Sequence, residues 1–192
     1  MKKLNICIDI DGTLTDPYYF LNLANKYFNK NITEEQVTEY YICKIYGTTE
    51  SEYAEFYEKN RWELHSTQKL RANVKDILRK IHFKHNIYFV TARERSLKML
   101  TYGYLRKNNI PFDNLFLLGT HHKVKKATEL NCDVFIEDSY ENAIELSEAG
   151  FTVLLLDTNY NRLPLNDNII RVHNWIEIYY EINKLLIQRE AM

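Results

Sequence analysis

Five short apolar runs, spaced so that helical patterns fall between the later ones, limit the folds open to this chain more than any other feature. They lie at Leu4 to Ile10, Ile87 to Val90, Leu115 to Leu118, Val134 to Ile136 and Val153 to Leu156, each the length of a buried strand. Residues 94–108 place Leu97, Leu100, Tyr104 and Leu105 at helical spacing, and residues 140–149 place Ala143, Ile144 and Leu146 ahead of a stop at Gly150. Strand and helix in alternation predict a parallel sheet with covering helices, an α/β fold.

The rhythm breaks once. From Pro17 to Gln68 no strand pattern appears, and three polar, tyrosine-rich helices are expected at Tyr18 to Asn29, Thr33 to Ile42 and Thr49 to Arg61. Thr33 with Gln36 three residues on forms a capping box. The sheet pattern resumes with a helix at about Ala72 to Phe83. An excursion straight after the first strand of such a sheet sits over the carboxyl ends of the strands, where ligands bind. Residues 1–16 and 69–192 are therefore expected to form the core domain, and 17–68 a small helical cap acting as a lid.

A chain of 192 residues accommodates one domain with an inserted subdomain. With 25 Lys+Arg against 26 Asp+Glu, the net charge of -1 offers no basic excess for a polyphosphate backbone, which argues against nucleic acid as a main partner. Cys7, Cys43 and Cys132 are widely spaced and odd in number, so neither a disulfide framework nor a zinc knuckle is indicated. Asn5, Asp9 and Asp11 interrupt the first apolar run too early for a signal peptide, and no run approaches the roughly 18 apolar residues of a membrane span. A soluble cytoplasmic protein is expected, away from membranes, with homodimerisation left open.

The chemistry starts at Ile8-Asp9-Ile10-Asp11-Gly12-Thr13-Leu14-Thr15-Asp16. Two carboxylates two apart on a strand share a face, with Cα atoms about 6.6 Å apart. Burying both at the mouth of a sheet is costly unless a cation or hydrogen-bond donors compensate. Mg²⁺ meets that need, because it takes one or two carboxylates and draws further oxygens from water and a substrate phosphate. An ordinary Asp-Gly turn accounts for Asp11 and Gly12 but leaves Asp9 unexplained.

Asp9-Ile10-Asp11-Gly12-Thr13 resembles the DxDG[TV] hallmark of the haloacid dehalogenase-like superfamily, which implies a three-layer α/β/α Rossmann-like fold. By that resemblance Asp9 is the nucleophile that forms an aspartyl-phosphate. Asp11 is then general acid toward the leaving alcohol and general base toward water, and contributes its backbone carbonyl to the metal. Thr91, closing Ile87 to Val90, matches the second motif, as a phosphate donor or a cap. Arg93 is either a phosphate clamp or a solvated helix start. Lys123 matches the third motif, a lysine that neutralises nucleophile and phosphoryl group, whereas Lys125 and Lys126 fit a solvated face and His121 and His122 a lid-facing or structural role. Glu137 and Asp138 match the fourth: Asp138 as a metal ligand with Asp9, Glu137 as a water-mediated ligand or lysine partner.

The whole chain is similar to a subgroup of small bacterial nucleotidases related to the cytosolic 5'(3')-deoxyribonucleotidases, through DIDGTLTD, Val90-Thr91-Ala92-Arg93, His121-His122-Lys123, the segment Ile136 to Ala143, Leu156-Asp157 and Tyr160-Asn161-Arg162. Ala92-Arg93 departs from the Ser-Pro of the deoxyribonucleotidases. The resemblance implies Mg²⁺-dependent hydrolysis of a small phosphomonoester, a (deoxy)nucleoside 5'-monophosphate, with a sugar-phosphate phosphatase as the rival. A signalling phosphoacceptor would need neither the acid at +2 nor a lid, and a phosphate-binding module without turnover would not need the full set of motifs. Tyr18, Tyr19, Phe20, Tyr40, Tyr41, Tyr46 and Trp62 fall in the lid or at its root, where they could stack on a base or form the lid's own core. Tyr18 and Trp62 are the expected substrate contacts.

Overall fold

The computed structural model describes residues 3–190. Among these, six strands form one parallel sheet: β1 (Asn5–Ile8), β2 (Asn86–Thr91), β3 (Asn114–Leu117), β4 (Val134–Glu137), β5 (Thr152–Leu156) and β6 (Ile169–Val172). Their order is β3-β2-β1-β4-β5-β6. The α/β expectation holds. The direction of winding reverses beside β1, the place at which open sheets of this kind leave a crevice at their carboxyl ends.

Alternation along the strands divides the core into two layers. Ile6, Ile8 and Ile10 face one way and pack with residues of α4 (Val74–His82), α5 (Lys98–Lys107) and α8 (Trp175–Glu190). Cys7, Phe135, Val153 and Leu155 face the other way, toward α6 (Val124–Glu129) and α7 (Tyr140–Glu148). Strands buried on both faces need apolar residues at successive positions, which is why they read as runs rather than as alternating patterns.

Between β1 and α4 the chain forms α1 (Leu21–Phe28), a 3₁₀ turn at Glu34–Gln36, α2 (Ile42–Tyr46) and α3 (Glu50–Ser66). These elements bury a cluster of their own around Phe20, Ala24, Tyr46 and Phe56. The segment leaves and returns through a short antiparallel crossing: Thr15 bridges Leu70, Asp16 N–H donates to Lys69 O at 2.9 Å, and Arg71 N–H donates to Leu14 O at 3.1 Å. The single helix expected over Thr33 to Ile42 is not formed. Its capping box closes as foreseen, but only around the 3₁₀ turn; Val37 is then buried in the cluster and the chain restarts at α2. Val37, Thr38, Tyr40 and Tyr41 are all weak helix formers, so burial of Val37 decides the local path. No helix among the described residues is long and apolar enough to cross a membrane.

Candidate active site

Asp9 follows β1, Asp138 follows β4, Thr91 ends β2 and Lys123 stands at the N-cap of α6, so the four sequence motifs arrive at one end of the sheet. Lys123 is the centre of the charge network. Its ammonium donates to Asp9 Oδ1 and to Glu137 Oε1, both at 2.5 Å, and only 1% of its side chain is exposed. Burial opposes its charge, but the two carboxylates outweigh burial and hold its pKa above the ordinary value. Glu137 is further fixed by Asn142 Nδ2 at 2.9 Å and by the backbone N–H groups of Asp138 and Ser139. Of its two expected roles, lysine partner is the one visible here.

Ligand oxygens of Asp9, Glu137 and Asp138 lie within 4.8 Å of one another, and all three residues are buried. Burial pushes Asp9 well above the usual carboxylate range; the charges of Glu137, Asp138 and Asp11 add to this, and Lys123 opposes it. Asp138 is pushed up to about 7 by burial and by Glu137. One ammonium among three buried carboxylates leaves negative charge that a divalent cation would neutralise, so the donor set fits such an ion.

The turn that follows β1 explains Gly12. Its φ is +81°, and a Cβ there would come within 2.2 Å of Asp138 Oδ2. Arg71 Nε donates to Gly12 O at 2.7 Å and Trp175 Nε1 to Thr13 O at 3.2 Å, tying the turn to both the returning chain and α8.

Asp11 faces a different set of partners. Arg93 donates through Nε to Oδ2 and through Nη2 to Oδ1, each at 2.8 Å, and Gln68 Nε2 donates to Oδ1 at 2.6 Å. Arg93 also donates to Gln68 Oε1 at 2.7 Å and to Thr101 Oγ1 at 3.0 Å. His65 Nδ1 lies 3.3 Å from Asp11 Oδ1, and its Nε2 pairs with the Tyr57 hydroxyl at 3.0 Å. Burial would raise the Asp11 carboxyl, yet Arg93 and His65 hold it well below the usual range. Every nitrogen of the Arg93 guanidinium is thereby committed to protein groups.

A cavity of about 500 Å³ opens above these residues. Its floor includes Asp9, Asp11, Thr91, Arg93, Lys123 and Asp138, and its walls include Tyr19, Phe20, Tyr40, Tyr53, Tyr57 and His121. Tyr40 meets His121 edge-on at 6.2 Å, so His121 does face the segment above. His122 is exposed and pairs with Glu145. Neither expected substrate contact lines the cavity. Trp62 is 51% exposed, beside the Arg61 guanidinium, while the Tyr18 hydroxyl accepts from Asn159 N–H at 3.2 Å behind Tyr160. Tyr53, Tyr57, His65, Gln68 and Asn142 escaped sequence reasoning as site residues. The Tyr57–His65 contact spans more than two turns of α3, and nothing local announces that Gln68 meets Asp11, 57 positions earlier.

Residues 2–189 match the family model described as 5' nucleotidase, deoxy (pyrimidine), cytosolic type C protein. The chain belongs to that family. A nucleotidase of Clostridium acetobutylicum is 59% identical over 192 residues, all of both chains, and a Bacillus subtilis protein with a nucleotidase name is 35% identical, covering 94% of each. The fold is shared with a haloacid dehalogenase-like hydrolase from Streptococcus pneumoniae, at TM-score 0.72 and 15% identity, covering 94% of this chain and 98% of that one. It is shared too with the HAD-hydrolase YfnB of Bacillus subtilis, solved with magnesium, at TM-score 0.66 and 14% identity, covering 95% and 100%. The family makes this an enzyme of the nucleotidase class, and its fold is haloacid dehalogenase-like.

Proposed function

We propose that this enzyme hydrolyses (deoxy)nucleoside 5'-monophosphates with Mg²⁺ through an aspartyl-phosphate on Asp9, in a core of residues 1–16 and 69–192 beneath a lid formed by 17–68. The observation that carries the reading is the buried Lys123 bridging Asp9 and Glu137, with the Asp138 carboxylate beside them. Asp9 and Asp138, with the Asp11 backbone carbonyl, would hold the cation. Bound there, it offsets the repulsion between an anionic nucleophile and an anionic phosphoryl group.

In the first half-reaction an Asp9 oxygen bonds to phosphorus as the ester P–O bond breaks, and the leaving alkoxide takes a proton from Asp11. In the second, water attacks phosphorus, Asp11 accepts its proton, and the Asp9–phosphate bond breaks. Lys123 orients Asp9 and balances its charge, and the Thr91 hydroxyl at the cavity floor donates to a phosphate oxygen. The Arg93 and Gln68 contacts favour ionised Asp11, so its acid role requires them to loosen, and His65 and Gln68 stand where the lid returns to the core. Tyr19, Tyr40, Tyr53 and Tyr57 provide flat apolar walls suited to a nucleobase.

Phosphate release with Mg²⁺ from a panel of nucleotides and sugar phosphates tests the reading. Nucleoside 5'-monophosphates are expected to be turned over fastest. A clear preference for sugar phosphates would move the substrate to that class, and no release from any ester would remove the mechanism.

A further inference from the structure

Tyr160 lies on the loop after β5 and has no part in the proposed reaction, yet its hydroxyl donates to Asp138 Oδ2 at 2.5 Å. Thr13 Oγ1 donates to Asp138 Oδ1 at 2.8 Å. A carboxylate offers about four lone-pair positions, so these two donors fix its plane and leave two positions for a cation. A side chain at Gly12 would strike both groups, 2.2 Å from Asp138 Oδ2 and 2.9 Å from the Tyr160 hydroxyl, so the space beneath the turn is filled by this pair.

The loop that carries Tyr160 is pinned to the end of β4. Asn161, fully buried, donates through Nδ2 to Asp138 O and Leu156 O, both at 2.7 Å, and its Oδ1 accepts from Arg171 Nη1 at 2.8 Å. The ring of Tyr160 meets Tyr40 at 5.7 Å and Tyr18 at 6.4 Å, each edge-on, and both belong to the 17–68 segment. One side chain therefore touches a candidate metal ligand at its polar end and the lid's aromatics along its ring.

We propose that Tyr160 is a positioning residue, whose hydroxyl orients Asp138 for the divalent cation while its ring seats the 17–68 segment beside the same carboxylate. This rests on the metal reading above. Carboxylates that ligate metals are themselves hydrogen-bonded, and loss of such a partner typically weakens metal binding about 10–100-fold. A tyrosine that merely fills space would lose nothing when its hydroxyl alone is removed.

Mn²⁺ serves as the probe, with free ion counted by electron paramagnetic resonance during titration of the wild type, Tyr160→Phe and Tyr140→Phe. Tyr140 is the control, because its hydroxyl donates to Pro164 O and does not touch Asp138. Tyr160→Phe keeps the ring and its packing, so it should fold and bind Mn²⁺ about 10-fold or more weakly, while Tyr140→Phe binds as the wild type does. In turnover, Tyr160→Phe should raise the Mg²⁺ concentration for half-maximal rate while leaving kcat at saturating Mg²⁺ within about twofold. Equal Mn²⁺ affinity in Tyr160→Phe and wild type overturns the proposal and leaves the metal reading standing. A wild-type protein that takes up no Mn²⁺ overturns both.

Discussion

The guanidinium of Arg93 grips both carboxylate oxygens of Asp11 in a two-point pair at 2.8 Å and 2.8 Å, and Gln68 closes a triangle with them. Lysine can replace the charge but not the fork. Because the fork fixes where the Asp11 carboxyl points, and misplacing it outweighs any easier protonation, Arg93→Lys is expected to cut nucleotide turnover more than hydrolysis of an aryl phosphate, whose leaving group needs no proton. Arg93→Ala should in addition cost stability, about 3 kcal/mol by urea denaturation, because it strands a largely buried carboxylate. Equal losses on the two substrates with Arg93→Lys would show that the pair is a structural tie alone.

Asp11→Asn removes the proton-transfer group while leaving the backbone in place. General acid–base assistance is worth about 10²–10⁴-fold, and a loss of that order is expected on nucleotides. On an aryl phosphate the same variant should give a burst of one phenol per enzyme and then slow turnover, since only the hydrolytic half needs the base. Stopped-flow absorbance reads both phases; an unchanged steady state on both substrates would refute the acid–base assignment.

Removal of divalent cations should abolish turnover, and readdition of Mg²⁺ should restore it. Because the cation would bind the folded carboxylate cluster and not the unfolded chain, Mg²⁺ at about 100 times its dissociation constant should stabilise the fold by about 2.7 kcal/mol. Differential scanning calorimetry with and without chelator measures this. Full activity in excess chelator would sink the metal assignment.

The cavity walls point to Tyr53 and Tyr57 rather than Trp62 as determinants of substrate choice. Trp62→Ala is expected to change stability by about 0.5 kcal/mol or less, in keeping with an exposed position. Its ratio of nucleotide to aryl-phosphate kcat/KM should match wild type. Tyr53→Ala should lower that ratio, by up to the roughly 1–3 kcal/mol that stacking on a base contributes.

A pH effect on stability is expected from His85, far from the cavity. Leu4 N–H donates to its Nδ1 at 3.3 Å, which requires an unprotonated nitrogen. Burial, assisted by Lys84, lowers its pKa below the ordinary 6.5. The folded state thus prefers the neutral ring, and the stability this contributes is complete above about pH 6.5 and lost as pH falls through the lowered folded value. The drop in Tm between pH 8 and pH 5 should shrink in His85→Gln, and an identical profile in variant and wild type would exclude the effect.

Five of the six strands are legible as apolar runs: β4 and β5 because both of their faces are buried, and edge strand β3 because Leu115, Phe116 and Leu117 still pack inward on a partly exposed edge. β6 is not, because Arg171 interrupts the apolar character of Ile169–Val172 and anchors Asn161. α8 follows it, with Trp175, Ile178 and Ile182 buried at helical spacing, a pattern present in the sequence. Asp9, Lys123, Glu137 and Asp138 could be placed together through their resemblance to the superfamily's motifs, and each sits where a strand ends or a helix begins. The braces Gln68 and His65 could not, since their partners are set by how the 17–68 excursion folds back, and the Tyr160 contact depends on how the loop after β5 is pinned to the end of β4, which no local pattern encodes.

The hydrogen-bonded crossing of Thr15 with Leu70 has a consequence for redesign of this chain. Exit and return points held together by the core relieve whatever lies between them of having to close its own loop, and each doubling of loop length costs only about 0.6 kcal/mol. Exchange of the segment for a longer or shorter one is therefore expected to cost little in loop closure, while the contacts of Arg61 with Glu94 and of Gln68 with Asp11 would be lost. If the 17–68 segment selects the substrate as proposed, a graft cut between Asp16 and Lys69 should carry selectivity with it and leave Asp9, Asp11, Thr91, Lys123 and Asp138 behind, while the Asp11 partners His65 and Gln68 would have to be supplied anew.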